Sequence, residues 1–473
     1  MKIQMAMSSE TRSETDAIGT LDVPAGALFG IQTARALANF PITGVPLSHF
    51  PSLVNALAMV KWAAAHTNAE LNTLSRERAE AIINACRRII DGNHHEHFVV
   101  DMIQGGAGTS TNMNANEVIA NLAQTVLGQP VGTYVLVHPN DHVNLGQSTN
   151  DVYPTAIRLA VLSRINPLCR ALSGLQQAFE EKAHAFRDIP KVGRTQLQDA
   201  VPVSLGLEFQ SYAHTVGEDI ERLQQLGQLL TEVNLGGTAI GTGVNAPRGY
   251  GTKVIDTLSE ISGFPLKQSG NLIEASSDLG AFVTFSGVLK RVAVKISKIC
   301  NDLRLLSSGP RAGFGEIILP PVQAGSSIMP GKVNPVIPEV VNQVCFQAIG
   351  NDLTVTMAAE AGQLQLNAME PVVAYNILET LRILTNAIGV LTDRCITGIQ
   401  ADADRCAALL NGSLVLATAL APHLGYDNAA KIAKTALAQG KSIREVTSEN
   451  AALSPDELDR ILSLKTMIYG NAE

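Results

Sequence analysis

Four short segments of the chain are rich in glycine and in hydroxyl or amide side chains, and they interrupt a helical pattern of apolar residues. They run over residues 105–117, 146–151, 193–199 and 325–335. Each leads into a stretch with helical periodicity, so their Ser, Thr and Asn residues are good helix N-caps. Several helix N-termini that point at one place would instead bind an anion, because free N–H groups and the helix dipole favour negative charge. Both interpretations are open at this point.

The glycines of the first segment do not form a nucleotide-binding motif. A phosphate-binding loop needs Lys followed by Ser or Thr after its glycines, and no such pair follows Gly108 in the required frame. A dinucleotide fingerprint needs GxGxxG directly after a strand, and neither feature is found before this segment. The sequence therefore argues against both kinds of nucleotide site here.

The segment 325–335, Gly-Ser-Ser-Ile-Met-Pro-Gly-Lys-Val-Asn-Pro, is the least ordinary of the four. A helix start explains Asn334, but it leaves the paired serines Ser326 and Ser327 and the cation Lys332 unexplained. Flexible loops bounded by glycine that close over a ligand are a common catalytic device. We therefore favour a catalytic loop over a simple helix start.

Together the segments offer one cation, Lys332, and many neutral hydrogen-bond donors. These donors are Thr109, Ser148, Thr149, Asn150, Thr195 and Asn334. Such a set suits a small carboxylate that gains charge when a proton leaves the neighbouring carbon, because preorganised donors in a dry pocket stabilise the aci-carboxylate that results. Serine is normally too weak a base for this step, so its alkoxide would need a lysine or loop N–H groups beside it.

Only one stretch of the sequence invites a metal-binding interpretation. His94, His95 and His97 in Asn-His-His-Glu-His could form a metal tract. Their spacing does not fit one face of a helix, so we favour a solvated loop. We predict no metal site and no cofactor, and the sequence leaves activation by a divalent cation open.

Composition and charge narrow the class of protein. The chain has 473 residues, 46% of them hydrophobic and 16% charged, which is enough for a large core. The net charge of −8, without a basic block, argues against a nucleic-acid partner. We expect no signal peptide, and no membrane span, because polar residues interrupt the apolar stretch 372–391. Six cysteines without a CxxC pattern are typical of reduced thiols, so we predict a cytoplasmic protein.

Long apolar stripes predict a mainly α-helical chain. Apolar residues at alternating steps of four and three run from Val161 to Phe179, which is the pattern of a long helix packed on others. Comparable stretches lie at about 200–233, 273–308, 334–358 and 366–397. Such stripes need neighbours on more than one side, so we predict a bundle that also forms the subunit interface. Pro167 predicts a kink or a break in the first of these helices.

The loop at 325–335 resembles the signature loop of the aspartase/fumarase superfamily. Further segments that resemble this family follow the same order along the chain: 23–40, 106–110, 138–144, 147–151, 193–195 and 234–243. The resemblance implies a mainly α subunit of three domains with a central bundle of long helices. We place an N-terminal domain at 1–147, the bundle domain at 148–400 and a small helical C-terminal domain at 401–473. It also implies a homotetramer whose active sites are shared between subunits.

Local sequence motifs favour the ammonia-lyase branch of this family. Residues 112–121 and 333–344 resemble that branch. Fumarase-like chains carry His where this chain has Gln196 and Glu where it has Gln323. Glutamine cannot take up a proton at neutral pH, so the acid/base pair that handles water is missing. The dipeptide Leu145-Gly146, by contrast, is closer to the residues that fumarases have at this place.

The resemblance implies reversible deamination of L-aspartate to fumarate and ammonia, with a role for each candidate residue. Ser326 would take the proton from Cβ. The β-carboxylate would be held by Thr109, Ser148, Thr149 and Ser327. The α-carboxylate would be held by Lys332 and Asn334. The ammonium side would be lined by Asn150, Thr195 and Gln196.

Two residues and two functions have weaker support. Arg35 is carried over to the substrate pocket, and His138 is either a secondary dicarboxylate contact or a structural histidine in a turn. The first alternative function is a class II type fumarate hydratase, against which Gln196 and Gln323 count. The second is a non-catalytic scaffold on the same fold, against which the intact catalytic loop counts.

Overall fold

The computed structural model describes residues 10–325, 327–450, 453–463 and 466–467, and helices dominate it, as predicted. The helices are α1 Ile31–Asn39, α2 Pro51–Glu70, α3 Arg76–Ile90, α4 Thr109–Val126, α5 Thr149–Ala185, α6 Leu205–Gly227, α7 Tyr250–Ser262, α8 Leu272–Ala275, α9 Gly280–Leu306, α10 Val336–Glu360, α11 Glu370–Arg394, α12 Ala403–Gly412, α13 Leu416–Leu424, α14 Tyr426–Gln439, α15 Ile443–Glu449 and α16 Pro455–Ile461. Short strands pair two by two between them.

The strands are β1 Thr11–Asp16, β2 Gly19–Pro24, β3 Pro190–Thr195, β4 Gln198–Ser204, β5 Glu232–Val233, β6 Lys267–Gln268, β7 Ile317–Ile318 and β8 Gln400–Ala401. They form the pairs β1–β2, β3–β4, β5–β6 and β7–β8, of which only β5–β6 is parallel. No larger sheet occurs in the described part of the chain, so helix packing supplies the core.

The five long helices α5, α6, α9, α10 and α11 lie at the predicted apolar stretches; α10 and α11 match their bounds to within a few residues, and α5 extends well beyond the stripe from Val161 to Phe179. α5 has 37 residues and continues through both Pro154 and Pro167. Of the two predicted effects of Pro167, the break is therefore wrong, and the kink stays a prediction. A proline removes one hydrogen bond of a helix, and burial of the apolar stripe on both sides of Pro167 outweighs that loss.

The chain forms two compact units. Unit 1 comprises the described residues of Met1–Cys169, Glu221–Arg291 and Gln347–Ile383. Unit 2 comprises those of Arg170–Ile220, Val292–Phe346 and Leu384–Glu473. Several long helices contribute to both units. The three-domain division remains a prediction.

Helix α4 of unit 1 is buried along most of its length although it is rich in asparagine. Its amides bind the backbone of surrounding loops. Asn114 Oδ1 accepts a hydrogen bond from the N–H of Val99 at 2.9 Å, and Asn121 Nδ2 donates to the carbonyl of Leu28 at 2.8 Å. Because each of these amides has a partner, the polar helix can be buried at modest cost.

Glu117 of α4 caps the N-terminus of α1. Its carboxylate accepts hydrogen bonds from the N–H groups of Gly30, Gln32 and Thr33 at 2.8, 2.8 and 3.1 Å. Burial raises the pKa of Glu117, and these hydrogen bonds oppose the rise. The cap places α1, and with it Arg35, against α4.

Polar contacts join the long helices within unit 1. The Ser286 hydroxyl of α9 donates to Asp352 Oδ1 of α10 at 2.8 Å. The Asn351 amide of α10 donates to the Thr380 hydroxyl of α11 at 2.9 Å. These buried pairs fix the rotation of each helix, which apolar packing alone would specify less sharply.

Unit 2 shows similar packing between the same long elements. The rings of Phe179 in α5 and Phe209 in α6 meet edge to face, with centroids 6.1 Å apart. The Asn342 amide of α10 donates to the Ser297 hydroxyl of α9 at 2.8 Å. The predicted bundle of long helices is therefore present as helix–helix contacts in both units.

The short helices α12 to α16 pack around a core of their own within unit 2. Its buried members are Val192, Leu410, Val415, Leu416, Ala417, Leu420, Ala429, Ile432, Ala436, Ile443, Val446, Leu458, Ile461 and Leu462. No single described helix is long and apolar enough to cross a membrane; a bent pair, α12 with α13, passes by length and composition alone.

Candidate active site

The start of α5 carries the hydroxyls of Ser148 and Thr149 and the amide of Asn150, and the buried carboxylate of Asp151 holds it in place. Asp151 accepts hydrogen bonds from the N–H groups of Ser148 at 2.9 Å, Gly236 at 3.0 Å and Thr238 at 2.9 Å. Burial raises the pKa of Asp151 to about 6, against the effect of these hydrogen bonds. The segment at 234–243 thus packs against the start of α5.

Asn150 and Asn234 strengthen this contact. Asn234 Nδ2 donates to the carbonyl of Asn150 at 3.0 Å, and Asn150 Nδ2 donates to the carbonyl of Ala239 at 2.7 Å. Asn150 Nδ2 uses one of its two hydrogens in this contact, and Asn150 Oδ1 is left to accept from a ligand.

The hydroxyl oxygens of Ser148 and Thr149 accept hydrogen bonds from the chain. Ser148 Oγ accepts from the N–H of Asn150 at 3.2 Å, which confirms an N-cap role. Thr149 Oγ1 accepts from Asn112 Nδ2 of α4 at 3.1 Å. Neither hydroxyl donates to another described residue, so each keeps its hydrogen for a ligand. The cap and anion-site interpretations of this segment are compatible.

Thr109 begins α4, one turn before Asn112. It is exposed, and its hydroxyl donates to the carbonyl of Gly106 at 2.7 Å. The backbone before it is left-handed at three successive residues, with φ of 89° at Gly106, 54° at Ala107 and 90° at Gly108. A Cβ at Gly108 would collide with the ring of Tyr153, so only glycine fits there.

Arg35 lies on α1 with its charge already paired. Its Nε and Nη2 donate to the two carboxylate oxygens of Asp16 at 2.8 and 2.9 Å. These bonds lower the pKa of Asp16 to about 2. Arg35 also lines a cavity of about 730 Å³ together with Ser110, His138 and Asn140.

His138 caps the turn at Pro139–Val143. Its Nδ1 faces the N–H groups of Asn140 at 3.3 Å and of Asp141 at 3.2 Å. This geometry supports the structural interpretation of His138, while its place at the cavity is compatible with a ligand contact.

The third segment, 193–199, forms the β3–β4 hairpin and does not lead directly into a helix, contrary to expectation. Thr195 ends β3, and Gln196 and Leu197 form a two-residue turn with φ of 54° and 61°. Such a turn matches the twist of paired strands. It usually contains Asn-Gly, which adopts positive φ easily, whereas here Gln196-Leu197 takes that place. Thr195 and Gln196 are exposed, and their side chains have no hydrogen-bond partner among the described residues.

A buried charge cluster holds this hairpin in unit 2. Arg194 donates to Glu316 Oε1 at 2.9 Å and lies over the ring of Phe314. Lys191 approaches Glu316 at 3.3 Å and Glu208 at 3.0 Å. Glu316 is fully buried, so its carboxylate depends on these two cations. The sequence analysis assigned none of these residues a role.

The loop around 325–335 lies in unit 2, and Ser326, the predicted base, lies outside the described residues. Asn334 Nδ2 donates to the carbonyl of Gly325 at 2.6 Å and so joins the two ends of the loop. A Cβ at Gly325 would collide with the carbonyl oxygen of Lys332. Ser327 and Lys332 are exposed, and the Lys332 ammonium has no ion-pair partner within the described ranges.

The predicted residues that the structure describes are thus divided between the two units. Unit 1 holds Arg35, Thr109, Ser148, Thr149 and Asn150. Unit 2 holds Thr195, Gln196, Ser327, Lys332 and Asn334.

The histidine tract at 94–97 places three ligand atoms near one another. His94, Glu96 and His97 offer atoms within 4.8 Å of one another, whereas His95 contacts the carbonyl of Ile89. Nδ1 of His97 accepts from the N–H of Leu28 at 3.4 Å. A metal-bound imidazole normally donates through its second nitrogen, so this contact does not favour a metal. The absence of a metal stays a prediction.

Comparisons with known proteins agree with the motifs. A protein-family model described as Lyase matches residues 19–350, and one described as Fumarase C C-terminus matches residues 416–469. The chain is 58% identical to an aspartate ammonia-lyase of Pseudomonas aeruginosa, over 98% of each chain. It is 52% identical to the aspartate ammonia-lyase of Escherichia coli (strain K12), over 98% of this chain and 97% of that one. The chain belongs to the aspartase/fumarase superfamily of lyases.

Solved structures of the superfamily have the same fold. A fumarate lyase:delta crystallin from Brucella melitensis, bound to cobalt, is 58% identical with a TM-score of 0.95, over 97% of this chain and 100% of that one. A class II fumarase from Schistosoma mansoni is 35% identical with a TM-score of 0.92, over 98% and 100%. The resemblance to ammonia-lyases and the mainly α superfamily fold are confirmed. The chain is an enzyme of the carbon–nitrogen lyase class.

Proposed function

We propose that the chain catalyses the reversible deamination of L-aspartate to fumarate and ammonia. Relatives named aspartate ammonia-lyase, 51% to 58% identical over 98% of this chain, support the reaction. The observation that carries it is a set of unused donors. The Thr149 hydroxyl accepts from Asn112 and keeps its hydrogen, and the Lys332 ammonium has no partner within the described residues.

The first step in this proposal removes a proton from Cβ of the substrate. Ser326, as an alkoxide, takes this proton, and the electron pair of the C–H bond moves into the β-carboxylate. The aci-carboxylate that forms carries two negative charges. Ser148 and Thr149 face it with hydroxyl hydrogens at the positive end of α5, and Ser327 adds a further hydroxyl. Thr109 joins these donors by exchanging its hydrogen bond to the Gly106 carbonyl for one to the substrate. A hydroxylic base needs this stabilisation because its product would otherwise be too high in energy.

The second step expels ammonia. Electrons return from the aci-carboxylate to form the double bond between Cα and Cβ, and the bond from Cα to nitrogen breaks. Asn150 Oδ1, which the contact to Ala239 leaves available, accepts from the leaving ammonium group with Thr195 and Gln196. These are amides and a hydroxyl, so no proton relay is required of them. The chemistry uses side chains alone and needs no cofactor.

Lys332 and Asn334 bind the α-carboxylate in this account. A lysine ammonium with no other carboxylate nearby forms a charge-assisted hydrogen bond to the substrate. Asn334 uses one amide hydrogen for the Gly325 carbonyl and keeps the second. Arg35 acts on the substrate only indirectly, because its Nε and Nη2 hydrogens are donated to the carboxylate of Asp16.

The proposed active form is a homotetramer with shared sites. An exposed apolar stripe on α10 supports an assembly: Phe346, Leu353 and Met357 are 60%, 61% and 65% exposed at a spacing that keeps them on one helix face. Exposed stripes of this kind mark protein interfaces. The predicted cytoplasmic location belongs to the same proposal.

The reverse reaction tests the function. Purified protein is incubated with fumarate and ¹⁵N-ammonium, and NMR follows the products. The proposal expects ¹⁵N-labelled L-aspartate and no malate. Malate in the ammonium-containing sample and in an ammonium-free sample would instead assign fumarate hydratase activity, despite Gln196 and Gln323.

A further inference from the structure

Lys61 is a buried lysine whose positive charge costs free energy of folding. It lies in the middle of α2 and is fully buried. Its ammonium donates to Asn144 Oδ1 at 2.8 Å and to Gln147 Oε1 at 2.9 Å. No carboxylate forms an ion pair with it within the described ranges. A buried ammonium without an ion pair costs stability, so its retention calls for a reason beyond packing.

The two acceptors of Lys61 belong to the network that orients Thr149. Asn144 Oδ1 also accepts from Asn112 Nδ2 at 3.1 Å, and the same Asn112 nitrogen donates to Thr149 Oγ1 at 3.1 Å. Gln147 lies directly before the first turn of α5. The ammonium therefore holds Asn144 in the rotamer in which the Asn112 amide points at the Thr149 hydroxyl.

We propose that Lys61 is a positioning residue for the β-carboxylate of the substrate. Through Asn144 and Asn112 it turns the hydrogen of the Thr149 hydroxyl outwards. It also adds one positive charge below the N-terminus of α5, where the proposed aci-carboxylate gains its second negative charge. The inference rests on the proposed function, since it names a group that supports the same site.

Two titratable groups face Lys61 and bear on its pH dependence. They are Asp151 on α5 and Cys86 on α3. Burial lowers the pKa of Lys61 to about 7, although both groups oppose this. The positive charge is therefore lost as the pH rises through about 7. In the unfolded chain Lys61 keeps its proton up to about pH 10.5. The free energy of unfolding therefore rises with pH between about 7 and 10.5. Activity and stability should change in opposite directions.

The test compares Lys61→Met and Lys61→Arg with wild type. The control is Lys253→Met, which removes a half-exposed cation paired with Glu70 at 3.5 Å on the α7–α2 surface. Binding of succinate, a non-reactive dicarboxylate, is measured by calorimetry. Turnover of L-aspartate is followed over a range of pH, and light scattering and thermal melts report assembly and stability.

For Lys61→Met we expect succinate affinity about tenfold weaker or more, because a charge-supported contact is lost. Lys61→Arg should keep binding, and its kcat/KM should no longer fall as the pH rises through about 7. Wild-type succinate affinity and pH profile in an assembled Lys61→Met enzyme would overturn the proposal. So would a loss confined to the unfolded fraction.

Two controls keep the outcomes apart. Arginine is larger than lysine in a fully buried site, so if Lys61→Arg does not fold, the succinate titration of Lys61→Met still decides the question. If wild type itself makes no fumarate from L-aspartate, the proposed function fails. Succinate binding by wild type and Lys61→Met then still tests whether Lys61 supports a dicarboxylate site.

Discussion

At the residue scale, the proposed chemistry depends on atoms that the fold leaves unused. The Thr149 and Ser148 hydroxyls donate to no other described residue, so both can donate to an anion. Asn150 uses one amide hydrogen for the Ala239 carbonyl and has its side-chain oxygen available. A ligand with a carboxylate at one end and an ammonium at the other fits this polarity.

Ser326→Ala tests the assignment of the base. We expect turnover to fall by several orders of magnitude, because no other group in the proposed mechanism accepts the Cβ proton. Fumarate formation from L-aspartate measures this, and light scattering checks that assembly is intact. Ser327→Ala is the matched control and should lose less, since it removes one donor among four. Equal losses in both variants would contradict the assignment.

Lys332→Met tests the α-carboxylate contact. Because the ammonium is the charged partner of that carboxylate, KM for L-aspartate should rise by about tenfold or more. Steady-state kinetics measure the change. Lys332→Arg, which keeps the charge, should recover part of the affinity. An unchanged KM in Lys332→Met would remove Lys332 from the substrate site.

Lys61 shows what the sequence alone could not predict at this scale. The residues it contacts lie 83 and 86 positions further along the chain. No local periodicity connects these positions. From sequence alone, an isolated Lys within an apolar helix is expected at the solvent-exposed edge of the helix. The hydroxyl-rich segments, by contrast, were recognisable because unusual residue types cluster within a few positions.

At the element scale, the long helices were predictable because their stripes repeat locally. The predicted stretch 334–358 became α10, Val336–Glu360, and 366–397 became α11, Glu370–Arg394. The β3–β4 hairpin was missed because its turn, Gln196-Leu197, lacks the Gly or Asn that signals positive φ. Its anchors, Lys191 and Arg194, act through Glu316, which is distant in sequence.

Gly108→Ala tests how closely α4 and α5 must approach. The position has φ of 90°, and a Cβ there would collide with the Tyr153 ring on α5. We expect a loss of about 2 kcal/mol or more in the free energy of unfolding, from backbone strain and displaced packing. Chemical denaturation measures it. Gly174→Ala, inside α5 with open space around it, should be neutral or stabilising. Equal stability of both variants would contradict the close packing.

At the scale of the whole molecule, the proposed site residues that the structure describes belong to two compact units, five in each. The family motifs predict which residues form the site, and this assignment stays a prediction. The sequence did not predict their division into these units, which depends on how the long helices pack. Leu353 and Met357 remain exposed on α10 in the single chain, and the proposed assembly would cover them.

Leu353→Glu tests the assembly. A charge in an apolar interface is costly to bury, so light scattering should show dissociation into smaller species. Turnover should fall in parallel if active sites are shared between subunits. Glu360→Gln, at the end of the same helix, should leave the assembly unchanged. A Leu353→Glu variant of unchanged mass and activity would argue against this face as an interface.

The central claim is that this enzyme removes ammonia from L-aspartate. Fumarate absorbs in the ultraviolet, so the purified protein is mixed in one cuvette with L-aspartate and in another with L-malate. The account predicts rising absorbance with L-aspartate alone. A rise with L-malate alone would contradict it and would show that hydration proceeds with glutamine at positions 196 and 323.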